Sequence, residues 1–394
     1  MTLSLLNAVY LLKIKGSDSL NRRDFLIGGL AVAGIISAGG FSYINRPEFG
    51  RLPHGARLEK CKESPHYKNG EFQNLVPVPV MSEQEGEREN KFVALFKMIF
   101  GDKTGLVPKD VMLTKKTNLY ELDKNKDAVV WMGHSSFFIQ TGGYKILIDP
   151  VFSSFASPLF FINKAFAGSN VYTADDIPEI DVLIITHDHW DHLDYPTIMA
   201  LRDKIKNIVC PLGVGEHFEY WGFDTNKLHE KDWYSKIEIA DDLAIHILPS
   251  QHFSGRFLTA NPTLWGSFAI ITPQKKIYVS GDGGYGEHFK AIGEKFNGFD
   301  LAIMENGQYN LAWHNIHMLP DETAQAASDL KARLVIPAHN SKFALARHAW
   351  QAPLVDLAAA SEDKNYKLLT PEIGELTALD DTNFTFSKWW ENMA

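Results

Sequence analysis

The chain has 394 residues, of which 45% are hydrophobic and 22% charged, a composition that excludes wholesale disorder. Its formal charge of −9 argues against nucleic acid as a partner, because proteins that bind the phosphate backbone carry basic surfaces. Its two cysteines, Cys61 and Cys210, exclude a disulfide scaffold and a cysteine-based zinc site. Cys210 lies in an apolar segment, so we expect a buried free thiol there.

Residues 1–45 are predicted to be a targeting segment or a membrane anchor. Arg22 and Arg23 precede an uncharged, glycine-rich stretch over 25–45, and this arrangement resembles a twin-arginine export signal. The stretch is also about as long as a bilayer-crossing helix of roughly 20 residues, and no clean cleavage site follows it. An uncleaved anchor and a buried core helix are the alternatives. We expect export, with the protein periplasmic or anchored to the outer face of the bacterial inner membrane.

Residues 46–126 are predicted to be an N-terminal extension that wraps the core. They show little β patterning and include a Pro-Val-Pro-Val run at 77–80 and a charged stretch at 83–89. The apolar spacing over 91–100 predicts one amphipathic helix. Such a helix packs on its own protein more often than on a membrane.

From residue 127 onwards the sequence contains short runs of β-branched and aromatic residues. Strands are predicted at 128–132, 137–141, 145–149, 182–186, 207–211, 243–248, 267–271, 277–280, 301–304 and 334–337. Gly142-Gly143 predicts a hairpin between the second and third strands. Helices are predicted at 195–204, 287–295 and 321–330, with Asp321 as the cap of the last one. We expect one large α/β (α+β) domain over 127–394, with two mixed sheets packed face to face and helices outside.

Three histidines and two aspartates lie within six residues directly after the predicted strand 182–186. In extended chain His187 and His189 point the same way, and the turn that follows would bring Asp191 and His192 round to a second point. Imidazole nitrogens and carboxylate oxygens are the ligands that zinc accepts. The alternative is a solvent-exposed polar turn that binds no metal. Packed after a buried strand, the set favours a metal site.

Three further candidates, His252, Asp282 and His339, each come at the carboxyl end of a predicted strand. Each would be weak evidence alone, because a histidine at the end of a strand is usually just half-buried and hydrogen-bonded. The glycines around Asp282 would let the backbone approach a metal closely. Together the strands would bring five histidines and two aspartates to one edge, enough for two metal ions that share a carboxylate.

The pattern His187-x-His189-x-Asp191-His192, followed by His252, Asp282 and His339, resembles the metallo-β-lactamase superfamily over residues 127–350. Further motifs resemble the branch that contains N-acylphosphatidylethanolamine-hydrolysing phospholipase D: Trp131-x-Gly-His-x-Ser136, Asp149-Pro-Val-Phe-Ser-Ser154, Pro249-Ser-Gln-His-Phe-Ser-Gly-Arg256 and Ser64-Pro-His-Tyr-Lys-Asn-Gly70. Family members often have His-Trp-Gly-Thr where this chain has His339-Asn340-Ser341-Lys342. That departure keeps the ligand but changes the pocket floor, so the substrate stays open.

The resemblance implies an αββα sandwich with two zinc ions, manganese or iron being the alternatives. His187, His189 and His252 would hold one ion, Asp191, His192 and His339 the other, and Asp282 would bridge them. Two such ions supply hydroxide at neutral pH and polarise a phosphoryl oxygen, which gives Asp191 and Asp282 catalytic roles.

Residues around the ligands have expected roles of their own. His317 resembles a family histidine beside the metals at the substrate phosphate, so it is expected to be catalytic and substrate-binding, with His314 as its competitor. Asp149 is expected to contact a site histidine. Asp188 would orient one of the histidines without binding the metal itself, or it would simply be a polar residue of the turn.

The resemblance further implies attack of hydroxide on phosphorus at the head-group side of N-acylphosphatidylethanolamine, which gives an N-acylethanolamine and phosphatidate. A lactonase or other small ester or amide hydrolase is the alternative, and a non-catalytic metal-binding periplasmic protein is a third. Leu159, Phe160 and Phe161 are unusually apolar for a loop and would form an acyl-chain groove or membrane-facing lip, or else local core. The expected partners are a phospholipid and a membrane surface, not nucleic acid, and a homodimer is left open.

Overall fold

The structure, a computed structural model, describes residues 42–80, 104–159, 161–256, 259–381 and 385–394. Contacts divide the chain into two units, Met1–Phe49 and Gly50–Ala394. The described part of the first unit, 42–49, contains a 3-10 turn at Pro47–Phe49. Of the targeting segment predicted over 1–45, residues 1–41 lie outside the described residues, as does the predicted helix over 91–100. Within the described residues, no helix has both the length and the apolar character needed to cross a membrane.

Helices and strands alternate along the second unit. The helices are α1 (Gly55–Lys62), α2 (Tyr195–Leu201), α3 (Gly215–Tyr220), α4 (His288–Phe296), α5 (Pro320–Asp329) and α6 (Ala352–Ala360). The strands are β1 (Tyr67–Lys68), β2 (Glu71–Phe72), β3 (Ala128–Trp131), β4 (Phe137–Thr141), β5 (Tyr144–Ile148), β6 (Ile180–Ile184), β7 (Ile205–Pro211), β8 (Leu228–Lys231), β9 (Lys236–Ala240), β10 (Leu243–Leu248), β11 (Ser267–Ile271), β12 (Lys276–Val279), β13 (Phe299–Glu305), β14 (Ala332–Ala338), β15 (Lys367–Leu368) and β16 (Leu376–Ala378). Short 3-10 turns occur at Ala174–Asp176, Arg202–Lys204, Thr225–Lys227 and Trp389–Asn392.

Two seven-stranded mixed sheets form the body of this unit. The first has the order β16-β3-β4-β5-β6-β7-β8, antiparallel as far as β5 and parallel from β5 to β8. The second has the order β15-β14-β13-β12-β11-β10-β9, parallel from β15 to β12 and antiparallel from there to β9. The predicted hairpin is confirmed: Thr141 pairs with Tyr144, and Gly142 and Gly143 both have positive φ, as a two-residue hairpin turn requires.

The central strands of each sheet are buried on both faces. The inner faces share one core, in which Trp131, Val182 and Ile184 of the first sheet belong to the same cluster as Ile247 and Phe268 of the second. The outer face of the first sheet packs residues of its strands against α2 and α3, and that of the second sheet packs against α4 and α5. The layers therefore run helix, sheet, sheet, helix, and the expected αββα sandwich of the metallo-β-lactamase type is confirmed.

Corrections to the predicted elements concern polar or short segments. Asp321 is not the helix cap: α5 begins at Pro320 after Leu319, and Glu322 accepts a hydrogen bond from the Leu319 N–H at 2.9 Å. The strands β1, β2, β8, β9, β15 and β16 and the helices α1, α3 and α6 were not predicted. β8 reads Leu-His-Glu-Lys at the sheet edge, where apolar patterning is not required.

From Gly50 onwards, the described part of the extension belongs to the same compact unit as the sheets. Phe72 and Cys61 are fully buried in the core between the sheets. Arg57 of α1 contacts three acids of the body: Glu230 at 2.8 Å, Glu216 at 3.0 Å and Glu219 at 2.7 Å. Cys210 is buried and free, as expected.

Candidate metal centre

The seven predicted ligands meet at one edge of the two sheets. They are His187, His189, Asp191, His192, His252, Asp282 and His339, all buried except His189, which is half-buried. The first four lie in the turn that follows β6, and the other three follow β10, β12 and β14. The ends of four strands thus deliver side chains to a common place.

Three histidine nitrogens form a first ligand group. His189 Nδ1 lies 2.9 Å from His187 Nε2 and 3.3 Å from His252 Nε2. One nitrogen from each of these residues lies within 4.8 Å of the others. This spacing is suited to three ligands that share one cation, with His189 presenting Nδ1 and its neighbours Nε2.

A second group lies beside the first and consists of Asp191, His192, His339 and His134, again with ligand atoms within 4.8 Å of one another. Asp282 stands between the two groups. Its Oδ2 is 3.1 Å from Nε2 of His192 and 3.2 Å from Nε2 of His339 in the second group. The same oxygen is 3.8 Å from His252 Nε2 and 3.9 Å from His187 Nε2 in the first. A single carboxylate therefore faces both groups.

The outward-facing nitrogen of four site histidines has a fixed hydrogen-bond partner. The pairs are His187 Nδ1 with Thr186 Oγ1 at 3.0 Å, His192 Nδ1 with Asp149 Oδ2 at 2.7 Å, His252 Nδ1 with the Ile316 carbonyl at 3.0 Å, and His339 Nδ1 with Ser135 Oγ at 3.1 Å. Partners of this kind orient an imidazole ring and fix its tautomer. The inward nitrogens are thereby left with a lone pair available to a metal.

Asp149 is itself held in place. Its backbone is left-handed, with φ of 40°, a conformation that Asp adopts more readily than most residues. Thr186 donates to its carboxylate twice, from the backbone N–H at 2.8 Å and from the hydroxyl at 2.6 Å. The prediction that Asp149 contacts a site histidine is confirmed.

The electrostatics and the hydrogen bonding of the cluster fit a cation. Burial lowers the pKa of His187, His252 and His339 well below its ordinary value, which leaves these rings neutral, the form that binds metal. Burial also lowers the pKa of His192, but Asp282 and Asp191 outweigh it and the net shift is upward. Carboxylates that favour a proton there would equally favour a metal ion. Asp282 Oδ1 and His192 Nε2 are buried without a hydrogen-bond partner among the described residues.

His134 joins the site although the sequence did not single it out as a site residue. It is fully buried, and its Nε2 lies 2.8 Å from Asp191 Oδ2. Its backbone is clamped, because its N–H donates to the Asn340 carbonyl and its own carbonyl accepts from the His339 N–H, both at 3.1 Å. The signal was present in the motif Trp131-x-Gly-His-x-Ser136, which pointed to the family but gave no role for the histidine.

His317 lies over the cluster and is held by Glu305. Its ring stacks on His339 with centroids 5.2 Å apart, and its Nδ1 is 2.8 Å from Glu305 Oε1. Burial lowers the pKa of His317, but the hydrogen bond to Glu305 outweighs it and the net shift is upward. Glu305 is fully buried, and that burial raises its own pKa. His314, the alternative to His317, is half-buried and lies 3.7 Å from Glu322. It is in none of the ligand groups found among the described residues.

Asp188 turns away from the ligands. Its carboxylate lies 3.2 Å from His217 Nε2 and accepts from the Gly255 N–H at 2.8 Å. Burial would raise the pKa of Asp188, but the hydrogen bonds from His217 and Gly255 and the nearby His189 lower it to about 2. The histidine that it orients is therefore His217 on α3, not a metal ligand, because the backbone of the turn directs alternate side chains to opposite sides.

The pocket floor beside His339 is polar and buried. Asn340 donates through Nδ2 to the Ala338 carbonyl at 2.9 Å, and Lys342 donates through Nζ to the Val151 carbonyl at 2.7 Å. The predicted lip is divided. Phe161 is 57% exposed and Leu159 is half-buried, whereas Phe160 lies outside the described residues.

Comparison with known proteins places this architecture in a family. Residues 144–340 match the model of the beta-lactamase superfamily domain. The chain belongs to the metallo-β-lactamase superfamily of metal-dependent hydrolases.

Particular relatives narrow the branch. The chain is 30% identical over 274 residues to N-acyl-phosphatidylethanolamine-hydrolyzing phospholipase D 1 of Caenorhabditis elegans, covering 64% of this chain and 75% of that protein. It is 33% identical over 334 residues to an uncharacterized protein of Mycobacterium tuberculosis, covering 84% of this chain and 88% of that protein. Among solved structures, Igni18, a metallo hydrolase of Ignicoccus hospitalis, shares the fold with a TM-score of 0.50 at 20% identity, over 66% of this chain and 100% of that one.

Proposed function

We propose that this protein is a two-metal phosphodiesterase that hydrolyses N-acylphosphatidylethanolamine on its head-group side and releases an N-acylethanolamine and phosphatidate. The observation that carries the proposal is the position of Asp282 Oδ2, which lies 3.1 to 3.9 Å from a nitrogen of histidines in both ligand groups. A carboxylate so placed is suited to two ions held side by side. The relationship to the C. elegans phospholipase supports the choice of substrate.

The ligand sets follow from the two groups. His187, His189 and His252 would hold one ion, and Asp191, His192 and His339 the other, with Asp282 shared. A donor set of imidazole and carboxylate alone suits zinc, and manganese or iron accepts the same atoms. When bound, such ions supply Lewis acidity toward a phosphoryl oxygen and an activated water at neutral pH.

His317 would handle the phosphate. Glu305 accepts the proton of Nδ1, so Nε2 is the nitrogen available to substrate. The upward pKa shift of His317 favours the protonated ring, which would donate from Nε2 to a non-bridging oxygen or to the departing alkoxide. Glu305 keeps the ring oriented while that proton moves.

A membrane surface is the proposed setting of the reaction. The exposed Phe161 and the half-buried Leu159 provide apolar side chains in the loop that follows Asp149, which itself contacts His192. The paired arginines before an uncharged stretch support export, with the mature protein periplasmic or anchored at the outer face of the inner membrane. Either location would place the site near its lipid substrate.

Hydrolysis of N-acylphosphatidylethanolamine in ¹⁸O-labelled water tests the proposal. Attack on phosphorus places the label in phosphatidate and none in the N-acylethanolamine, as mass analysis of both products would reveal. Asp282→Ala protein, purified identically, controls for a contaminating lipase. Label in the alcohol product would mean carbon–oxygen cleavage, and free fatty acid as the sole product would mean an esterase or amidase. Turnover of lactones without hydrolysis of the lipid would identify the protein as a lactonase instead.

A further inference from the structure

A segment of the N-terminal extension reaches a metal ligand. Phe72, at the end of β2, is fully buried in the core between the sheets, and its N–H donates to the Asn261 carbonyl at 3.0 Å. Two residues later the chain places Asn74 against His252, a member of the first ligand group. The extension is thus anchored immediately before it meets the site.

The Asn74 side chain forms hydrogen bonds with both backbone polar groups of His252. Its Oδ1 accepts from the His252 N–H at 3.0 Å, and its Nδ2 donates to the His252 carbonyl at 2.9 Å. The indole Nε1 of Trp265, which is 1% exposed, also donates to Oδ1 at 3.1 Å. Two donors on one side and a carbonyl on the other permit only one orientation of the amide.

The ring of His252 is held from a second direction, and the same extension contacts that region. His252 Nδ1 lies 3.0 Å from the carbonyl of Ile316, in the loop that carries His317. The neighbouring Asn315 donates through Nδ2 to the Pro79 carbonyl at 3.1 Å. Residues 74–79 therefore connect the backbone of one metal ligand with the loop that orients its ring.

We propose that Asn74 is a positioning residue for the metal ligand His252. By pairing with both backbone polar groups it fixes the Cα of His252, so that Nε2 stays 3.3 Å from His189 Nδ1 and 3.8 Å from Asp282 Oδ2. The extension is on this view a component of the metal centre as well as a covering of the core. The inference rests on the proposed ion at His187, His189 and His252 and does not depend on the substrate.

Removal of the Asn74 side chain should weaken metal binding. In Asn74→Ala the His252 backbone loses both partners, and we expect the affinity for Zn²⁺ to fall about tenfold or more, as for other groups that orient metal ligands. Asn74→Ser is a smaller change for which the direction is the same. Gln73→Ala, at the adjacent half-buried position, is the matched control and should keep the wild-type affinity.

The measurement is competition of the zinc-loaded full chain with a chromophoric chelator, together with the ligand-field spectrum of the Co²⁺-substituted protein. A cycle with His252→Ala separates positioning from general stability: once the ligand is gone, Asn74→Ala should have no further effect on Zn²⁺ affinity. An unchanged affinity in Asn74→Ala, or an equal loss in both backgrounds, would overturn the inference. Wild-type protein that takes up no metal would instead contradict the proposed metal centre.

Discussion

Asp149 Oδ2 lies 2.7 Å from Nδ1 of His192, and Thr186 holds that carboxylate with a backbone N–H and a hydroxyl. The carboxylate keeps the proton on Nδ1 and leaves Nε2 facing Asp282 at 3.1 Å. One strand end, after β5, thus orients a ligand supplied by the turn after β6. The sheet and the metal centre are joined through this contact.

Asp149→Asn should weaken metal binding, and the loss should exceed what a change in the fold would cause. An amide can still accept from His192, but it carries no charge to raise the basicity of the ring, so we expect metal affinity to fall about tenfold to a hundredfold. Chelator competition measures the loss. Asp175→Asn, at an exposed aspartate, is the control and should have no effect. Equal affinities in the two variants would show that Asp149 is structural only.

Asp282 is expected to be the least replaceable carboxylate. Asp282→Asn keeps the shape and removes the charge that faces both ligand groups, so turnover should fall by at least about a hundredfold, or ~2.7 kcal/mol in transition-state stabilisation. Elemental analysis of fully loaded wild-type protein should give two ions per chain. One ion or fewer would rule out the paired site, and near-wild-type turnover with both ions bound would rule out the role of Asp282.

The central strands were predictable because most of their residues are apolar. The predicted bounds of β10 and β11 agree with the structure at both ends, and those of β4 do as well. The edge strand β8 escaped prediction because its Leu-His-Glu-Lys sequence needs no buried pattern. Helix α6 escaped because nine residues rich in alanine show no clear polar face.

At the site, the sequence predicted residues whose chemistry is visible in a cluster and missed those whose role is set by tertiary contact. His134 is alone in its stretch of chain and reaches Asp191 only because β3 and β6 share a sheet. Glu305 is the last residue of β13, one beyond the predicted strand, and its partner His317 lies 12 residues later. The spacing of these residues along the chain predicts neither the contact of His134 with Asp191 nor that of Glu305 with His317.

His317 should affect turnover and not metal content. His317→Ala removes the proton donor from the phosphate, so turnover of a phosphodiester should fall about 10²- to 10⁴-fold with metal content unchanged. Glu305→Gln should give a smaller loss, because the ring keeps a partner that carries no charge. His314→Ala is the control within the same loop and should retain wild-type turnover. Parallel losses in the two histidine variants would mean that the loop, not His317, is required.

The ion pairs of Arg57 should stabilise the protein in a pH-dependent way. In Arg57→Met, Glu216 and Glu230, which are 1% and 6% exposed, lose this partner, although Glu216 keeps Arg51. We expect the free energy of unfolding to fall by about 1–3 kcal/mol. Burial raises the pKa of Glu216, but its hydrogen bonds to Arg57 and Arg51 outweigh that and hold it below its ordinary value. Its contribution is therefore full above the unfolded pKa of about 4.3 and is lost as the pH falls through the lower folded value.

Urea unfolding with a chelator in every sample measures both effects. The difference between wild type and Arg57→Met should be largest near neutral pH and shrink below about pH 4. Arg333→Met removes the pair between an exposed arginine and the half-buried Asp300. It is the control and should lower the free energy of unfolding by about 1 kcal/mol or less. A difference that did not change with pH would assign the effect of Arg57 to packing.

The apolar loop after Asp149 makes the membrane part of the proposed function testable through Phe161. Its side chain is 57% exposed, so Phe161→Asp places a charge where a lipid surface would lie. We expect turnover of N-acylphosphatidylethanolamine in vesicles to fall severalfold, while turnover of a short-chain soluble phosphodiester stays at the wild-type rate. Val355→Asp, at an exposed position of α6, controls for added charge and should change neither. If Phe161→Asp slowed both substrates equally, the loop would act through the fold of the site, and the proposal that it contacts a membrane would have to be abandoned.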